Sequence, residues 1–169
     1  IGDSINKTEH FVSVYYCMAR IYTDLRNFKT ADQYYSLAEE EVKNNPLYEQ
    51  FLFTTNRAYN YYQEKKYENS IDWFHKALDQ AIELDNPYYT AMSNANLGEV
   101  FIAAEQADSA RHYLNKAGKY FIRLGVHESL SVYFNGLRGS VAVLENELVE
   151  AEQLLSLKDR EETLILNYV

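Results

Sequence analysis

Apolar residues recur along the chain every three or four positions, as in Val14, Met18 and Ile21. This spacing places them on one face of an α-helix, and strand signals are weak throughout. Helix-ending signals occur three times, at NNP (44–46), DNP (85–87) and RLGV (123–126). Proline lacks an amide hydrogen and clashes with the preceding turn, while glycine accepts a left-handed cap. These breakers divide the chain into helical blocks about 40 residues apart.

Small and large residues repeat at matching offsets within each block. The first set is Ala19, Tyr22, Ala31, Tyr35 and Ala38. The sets that follow are Ala58, Tyr61, Ser70, Phe74, Ala77; Gly98, Phe101, Ala110, Leu114, Ala117; and Gly139, Ala142, Ala151, Leu155, Lys158. Small residues let two helix axes approach, and aromatic residues fill the gaps between them. A helix pair cannot bury its apolar face alone, so the pattern predicts four pairs stacked on one another.

Two segments, NLGEVF (96–101) and SIDWFHKAL (70–78), resemble the halves of the tetratricopeptide repeat. The usual period of that family is 34 residues, whereas the blocks here are about 39 to 41 residues apart. The glycine of the turn within each repeat is replaced by Arg26, Lys65, Glu105 and Asn146. We therefore expect helices longer by about a turn. The resemblance, which extends to long repeats of bacterial sensor and regulatory proteins, implies an all-α, right-handed superhelical solenoid of antiparallel helix pairs.

The repeat boundaries predict a single domain over residues 1–169. The four repeats are placed at about 12–46, 51–87, 91–125 and 132–160, with a C-terminal helix or extension over 156–169. Repeat arrays need a polar terminal cap to remain soluble, yet this end carries LIL at 164–166. We expect the segment to fold over the fourth repeat or to form a homodimer contact. Because the first residue is Ile1, we expect an excised domain or a processed chain.

The tyrosine-rich segment AYNYYQEKKYENSIDWFHKAL (58–78) is interpreted as packing between helices. Tyr61, Trp73 and Phe74 lie at positions that the repeat assigns to helix contacts. The alternative is a platform that stacks against a ligand. Tyr67 begins the second helix of its repeat and is given a structural role for the same reason, whereas Tyr59 lies on a different helix face.

Composition narrows the function. The net charge of −9 argues against nucleic-acid binding, which needs basic surfaces to replace phosphate counterions. No apolar run approaches the roughly 20 residues of a membrane span. The single Cys17 excludes an internal disulfide and a thiolate zinc site. No phosphate loop, catalytic triad or metal-ligand cluster is present. We expect no enzyme activity and no cofactor. The compartment, cytoplasmic or periplasmic, stays undecided.

The resemblance implies that the first helix of each repeat lines a concave groove that binds a protein or peptide. The polar and aromatic groove candidates are Tyr16, Arg20, Asn56, Tyr59, Asn96 and Glu99. Asn56 and Asn96 occupy a position that is commonly asparagine in the family, where the carboxamide can hold an extended peptide backbone. The alternative is that they cap or bridge helices. The apolar candidates for a groove or interface are Met92, Ile102, Leu137, Val143 and Leu144.

Together these observations predict a protein- or peptide-binding module, the sensory or scaffold portion of a larger bacterial signalling protein. The alternative is an oligomerisation or spacer domain that positions a fused output domain, such as a kinase or a DNA-binding domain. Long-repeat relatives also include aspartyl-phosphate phosphatases, but no residue here supports that activity.

Overall fold

The computed structural model describes residues 9–125, 128–147, 150–151 and 153–154, and every regular element among them is an α-helix. The helices are α1 (Glu9–Asp24), α2 (Phe28–Val42), α3 (Leu47–Gln63), α4 (Tyr67–Glu83), α5 (Pro87–Ala103), α6 (Ala107–Leu124) and α7 (Glu128–Leu144). The chain forms two compact units, Ile1–Asp85 and Asn86–Val169. We call them the N-terminal unit and the C-terminal unit.

In the N-terminal unit, α1 pairs with α2 and α3 pairs with α4, and α3 also packs on both helices of the first pair. The predicted small positions form these contacts, since Ala19, Ala38 and Ala77 are each 0% exposed. Trp73 of α4 packs edge-on against Phe53 of α3, with ring centroids 6.0 Å apart. The tryptophan thus lies in the packing between helices, as its place in the repeat predicts.

In the C-terminal unit, α5 pairs with α6, and α7 packs on both. The apolar contacts include Phe121 of α6 edge-on against Phe134 of α7, with centroids 5.5 Å apart. Gly98 of α5 allows a close approach to α6, because a Cβ built there would lie 2.5 Å from Cδ2 of Leu114. That leucine occupies the large position that the repeat pattern assigns to the second helix.

The turn within each pair keeps a glycine-like backbone without glycine. Arg26, Lys65, Glu105 and Asn146 have φ angles of 57°, 64°, 58° and 60°. The next amide hydrogen-bonds to the carbonyl oxygen five residues back in all four turns, which is the Schellman arrangement. The substitutions that we noted in the sequence therefore fall on left-handed residues, where an L side chain carries a steric cost.

Helix starts follow local capping chemistry. The side chain of Asn27 accepts a hydrogen bond from the amide of Thr30 at 3.3 Å. Asn86 likewise accepts from the amides of Tyr88 and Tyr89 at 3.0 and 3.1 Å. Pro87 is the first residue of α5, where its missing amide hydrogen is harmless. The proline of DNP thus begins the next helix directly after the preceding one ends.

Candidate functional site

The first helices of the N-terminal unit meet through three groove candidates. Nη1 of Arg20 on α1 donates to Oδ1 of Asn56 on α3 at 3.1 Å. The guanidinium carbon of Arg20 lies 4.3 Å from the centroid of the Tyr59 ring. Nε of Arg20 is 3.4 Å from Oδ1 of Asp24, one turn further along α1. The structure therefore brings Arg20, Asn56 and Tyr59 together.

Asn56 is also tied to its own helix and to α2. Its Nδ2 donates to the carbonyl of Leu52 at 2.8 Å, and its own carbonyl accepts from the hydroxyl of Tyr35 at 2.8 Å. With its side-chain oxygen on Arg20, the residue bridges helices, which is the alternative that the sequence left open. The side chain of Asn56 therefore holds Arg20 through Oδ1, while its Nδ2 is bound to the carbonyl of Leu52.

Tyr16 lies on α1 and is half-buried. Burial, more than its negatively charged neighbours when ionised, raises the pKa of its hydroxyl. The residue therefore remains a neutral hydrogen-bonding group at physiological pH, and an aromatic surface on the same helix as Arg20.

A buried polar network lies behind the N-terminal candidates, and sequence reasoning missed it. Arg57 of α3 donates through Nη1 to Asp32 of α2 at 2.5 Å and through Nη2 to the hydroxyl of Tyr61 at 2.9 Å. Nδ2 of Asn60 lies 3.3 Å from the same Asp32 oxygen, and Oδ1 of Asn60 accepts from Thr23 at 2.7 Å. The network joins three helices and holds the backbone that presents Asn56 and Tyr59.

The C-terminal unit presents a different pair between its first helices. The hydroxyl of Tyr133 on α7 donates to Oε2 of Glu99 on α5 at 2.6 Å. Asn96, one turn before Glu99, is half-buried. Tyr133 was not among our main candidates, although it lies one turn before Leu137 on α7. Arg20 follows Ala19 and Glu99 follows Gly98, so the two residues occupy equivalent repeat positions. This position is positively charged in the N-terminal unit and negatively charged in the C-terminal unit.

The apolar candidates of the C-terminal unit divide into two groups. Met92 packs against the buried cluster of Ala91, Ala95, Ala117 and Phe121, and Ile102 and Leu137 are half-buried. Val143 and Leu144, at the end of α7, are 51% and 39% exposed. These last two side chains are therefore accessible in the described part of the unit, while Met92 contributes to its core.

Two arginines of the C-terminal unit border a small cavity. Arg111 of α6 binds Glu145 through both Nε and Nη2, and Arg138 of α7 pairs with Glu150 at 3.6 Å. The cavity between these side chains has a volume of about 20 Å³, which is room for one water molecule and too little for an organic ligand.

Among the residues described, no group of three or more His, Cys, Asp or Glu side chains is placed to hold a metal ion. The same part of the chain contains no helix that is both long and apolar enough to cross a membrane.

Comparison with known proteins agrees with the sequence resemblance. Residues 50–117 match the family model described as tetratricopeptide repeat. No curated protein matches the chain. The resemblance to this family is therefore confirmed for a segment that includes α4, α5 and most of α3 and α6, while the period of about 40 residues stays a prediction.

Three solved structures are similar in fold. BtubC from P. vanneervenii has a TM-score of 0.79 and 21% identity, with 96% of this chain and 67% of that chain covered. A signal transduction ATPase with numerous domains and a tetratricopeptide repeat sensor, from Pyrococcus horikoshii, has a TM-score of 0.86 and 16% identity, with coverage of 98% and 26%. The apo form of RapI has a TM-score of 0.76 and 19% identity, with coverage of 96% and 60%.

These identities establish the fold alone. The chain spans 67%, 26% and 60% of the three solved chains.

Proposed function

We propose that this chain is a protein- or peptide-binding module of a larger regulatory protein, since residues 50–117 match the tetratricopeptide repeat model. In each unit it binds an extended segment along the face formed by its first helices. The role that fits is sensory or scaffolding, since binding by such a module changes what a fused domain does. One protein of similar fold is a signal transduction ATPase with a tetratricopeptide repeat sensor, which supports that role.

The contact between first helices is the observation that carries this proposal. Arg20 reaches Asn56 from α1 to α3, and Tyr133 reaches Glu99 from α7 to α5. In each unit the two first helices therefore stand side by side, and hydrogen-bonding and aromatic side chains lie along the face that they form. A polypeptide ligand needs such alternating donors, acceptors and flat apolar surfaces.

A display library of random 12-residue peptides tests the proposal directly. We expect the chain to enrich a family of related peptides. We also expect Asn96→Ala to weaken their binding in calorimetry without changing the helical circular dichroism. Asn115→Ala, an exposed residue of α6, is the matched control and should leave affinity unchanged. If no peptide is enriched over an unrelated helical protein, the proposed function is wrong.

The alternative, an oligomerisation or spacer domain, is favoured by the exposed Val143 and Leu144. Apolar side chains that lie together at a helix end are candidates for contact between copies. Light scattering over a range of concentrations separates the two functions. A mass that doubles, and that Val143→Asp returns to the monomer value, would support the alternative. A monomer that binds enriched peptides supports the proposed function.

A further inference from the structure

Three neighbours fix the guanidinium of Arg20. Asn56 accepts from Nη1 at 3.1 Å, Asp24 lies 3.4 Å from Nε, and the Tyr59 ring supports the guanidinium plane at 4.3 Å. A free arginine loses considerable rotamer freedom when a ligand immobilises it. Here most of that freedom is already gone, so the side chain is ready for an incoming anion.

The outward side of the same guanidinium remains available. Its donors comprise five N–H groups in a planar fork. Asp24 and Asn56 engage Nε and one hydrogen of Nη1, and among the described residues no acceptor engages Nη2. The Arg20 side chain is 45% exposed. The guanidinium is therefore held in place by its neighbours while the N–H groups of Nη2 face solvent.

We infer that the N-terminal unit selects peptides that carry an acidic side chain, whose carboxylate pairs with Arg20 beside the Tyr59 ring. The inference rests on the proposed function and names the chemistry of its ligand. Asn56 is a positioning residue here, since it acts by orienting Arg20. The backbone-binding role that the family resemblance implied for Asn56 is replaced by this indirect one.

The surroundings favour a carboxylate over a phosphoryl group. Sites for phosphorylated peptides are built from clusters of arginines, whereas Arg20 is the one basic residue among the six polar and aromatic candidates. Asp24 is close to the same guanidinium, and the chain has a net charge of −9. A dianion would meet more repulsion there than a monoanion. Asp24 is also an internal competitor for the ligand carboxylate.

The random-peptide library, applied to matched variants, tests this inference. We expect peptides enriched by the native chain to contain Asp or Glu at one recurrent position. Arg20→Ala should abolish that preference, and Arg20→Lys should retain part of it because the charge remains without the planar fork. The exposed Arg123→Ala on α6 is the control for loss of one positive charge and should leave the preference unchanged.

Synthetic peptides make the test quantitative. For one enriched sequence, replacing the recurrent Glu by Gln should weaken binding to the native chain about tenfold, as expected for loss of a charge-assisted hydrogen bond. The same change should have no effect on the Arg20→Ala variant. Asp24→Asn should strengthen binding of the Glu peptide about two- to fivefold, since the competing carboxylate is removed.

Each contrary result has a separate meaning. An acidic preference that survives Arg20→Ala, or a Gln peptide that binds as well as the Glu peptide, would overturn the inference and leave the proposed function intact. A phosphoserine peptide that binds more tightly than the Glu peptide would overturn the choice of a carboxylate. A library that yields no peptides at all would overturn both the proposed function and this inference.

Discussion

In the N-terminal unit, Arg57 of α3 lies against α2, where it donates to Asp32 at 2.5 Å. The C-terminal unit carries Arg138 and Arg111 at the equivalent positions of α7 and α6. Two arginines cannot pair with one another, and both bind glutamates instead. These glutamates are Glu145 and Glu147 for Arg111, and Glu150 for Arg138.

The arginine side chains of the two units differ in how far they are buried. The Arg57 side chain is 9% exposed, whereas those of Arg111 and Arg138 are 41% and 42% exposed. A buried charge requires its partners, because an unpaired guanidinium away from water is costly. Exposed pairs contribute little, since water replaces either partner. The same repeat position therefore fixes the helix contact strongly in one unit and only weakly in the other.

Asp32→Ala is expected to have the largest effect. It leaves Arg57 buried without a carboxylate and should reduce the free energy of unfolding by about 2–3 kcal/mol, somewhat less than for a fully buried pair, because the Asp32 side chain is 39% exposed. Chemical denaturation measures the change. Glu150→Ala removes the counterpart in the C-terminal unit and should cost less than about 1 kcal/mol. Equal losses in the two variants would contradict the contrast between the units.

The small positions of the repeat were predictable from sequence because helix contact imposes a local, periodic demand. Ala31, Ala77 and Ala117 recur at fixed offsets, and each is 0% exposed. The Arg57–Asp32 pair was not predictable in this way, since the two residues belong to different helices and to no shared motif. One signal was present: Arg57 directly precedes Ala58, whereas the apolar Met18 and Leu97 directly precede the equivalent Ala19 and Gly98.

The candidate site, too, was predictable where the repeat pattern sets a position and not where contacts between side chains of different helices decide. Arg20 and Tyr59 each follow the first small residue of their repeat, Ala19 or Ala58, and the structure brings the two side chains into contact. That Asn56 supports Arg20 depends on side-chain orientation across two helices, which periodicity does not encode. Met92, a candidate for a groove or interface, is partly buried and packs against the core, because the rotation of a helix about its axis decides how deep a bordering residue lies.

Gly98→Ala should have the next largest effect and sharpens the comparison of packing. Its Cβ would lie 2.5 Å from Cδ2 of Leu114, which is buried and cannot move freely. After the gain in helix propensity, we expect a net loss of about 1–2 kcal/mol in thermal or chemical unfolding. Gly118→Ala is the matched control. Its Cβ would lie 3.1 Å from Phe134, so the change should be near zero.

A second substitution tests the reason for that loss. The N-terminal unit places Ala58 and Phe74 at the positions that hold Gly98 and Leu114 in the C-terminal unit. A flat ring leaves room for a methyl group where a branched leucine does not. Leu114→Phe should therefore restore part of the stability that Gly98→Ala removes. A double variant less stable than Gly98→Ala alone would show that the two units do not share this packing rule.

Tyr35→Phe gives a smaller effect with a distinctive pH dependence. At neutral pH the loss of the hydrogen bond to Asn56 should cost about 1 kcal/mol. Burial raises the pKa of Tyr35 to about 12, from an unfolded value of about 10. The folded state therefore keeps this proton longer, and the associated stability is present below about pH 10 and lost as pH rises toward 12.

Urea titrations at about pH 9 and about pH 11 measure this difference. The native chain should lose more stability between the two values than Tyr35→Phe does, because the variant has no proton to lose at that position. The equivalent residue of the C-terminal unit, Leu114, does not titrate, so Leu114→Val should not alter the pH dependence. Parallel pH curves for the native chain and Tyr35→Phe would argue against the assigned burial of this hydroxyl.

The smallest expected effect concerns the left-handed turn within a helix pair, a feature that both units share. Lys65 and Glu105 have φ angles of 64° and 58°, and a left-handed residue other than glycine costs about 1–2 kcal/mol. Glycine removes that cost but adds freedom to the unfolded chain, worth about 0.4–1 kcal/mol. Lys65→Gly and Glu105→Gly should therefore each raise the free energy of unfolding by about 0.5 kcal/mol. Lys65→Ala removes the side chain without relieving φ and should give no increase. Since both turns have the same Schellman hydrogen bonds, a gain in one unit alone would mean that the surrounding packing, and not the backbone angle, sets the cost.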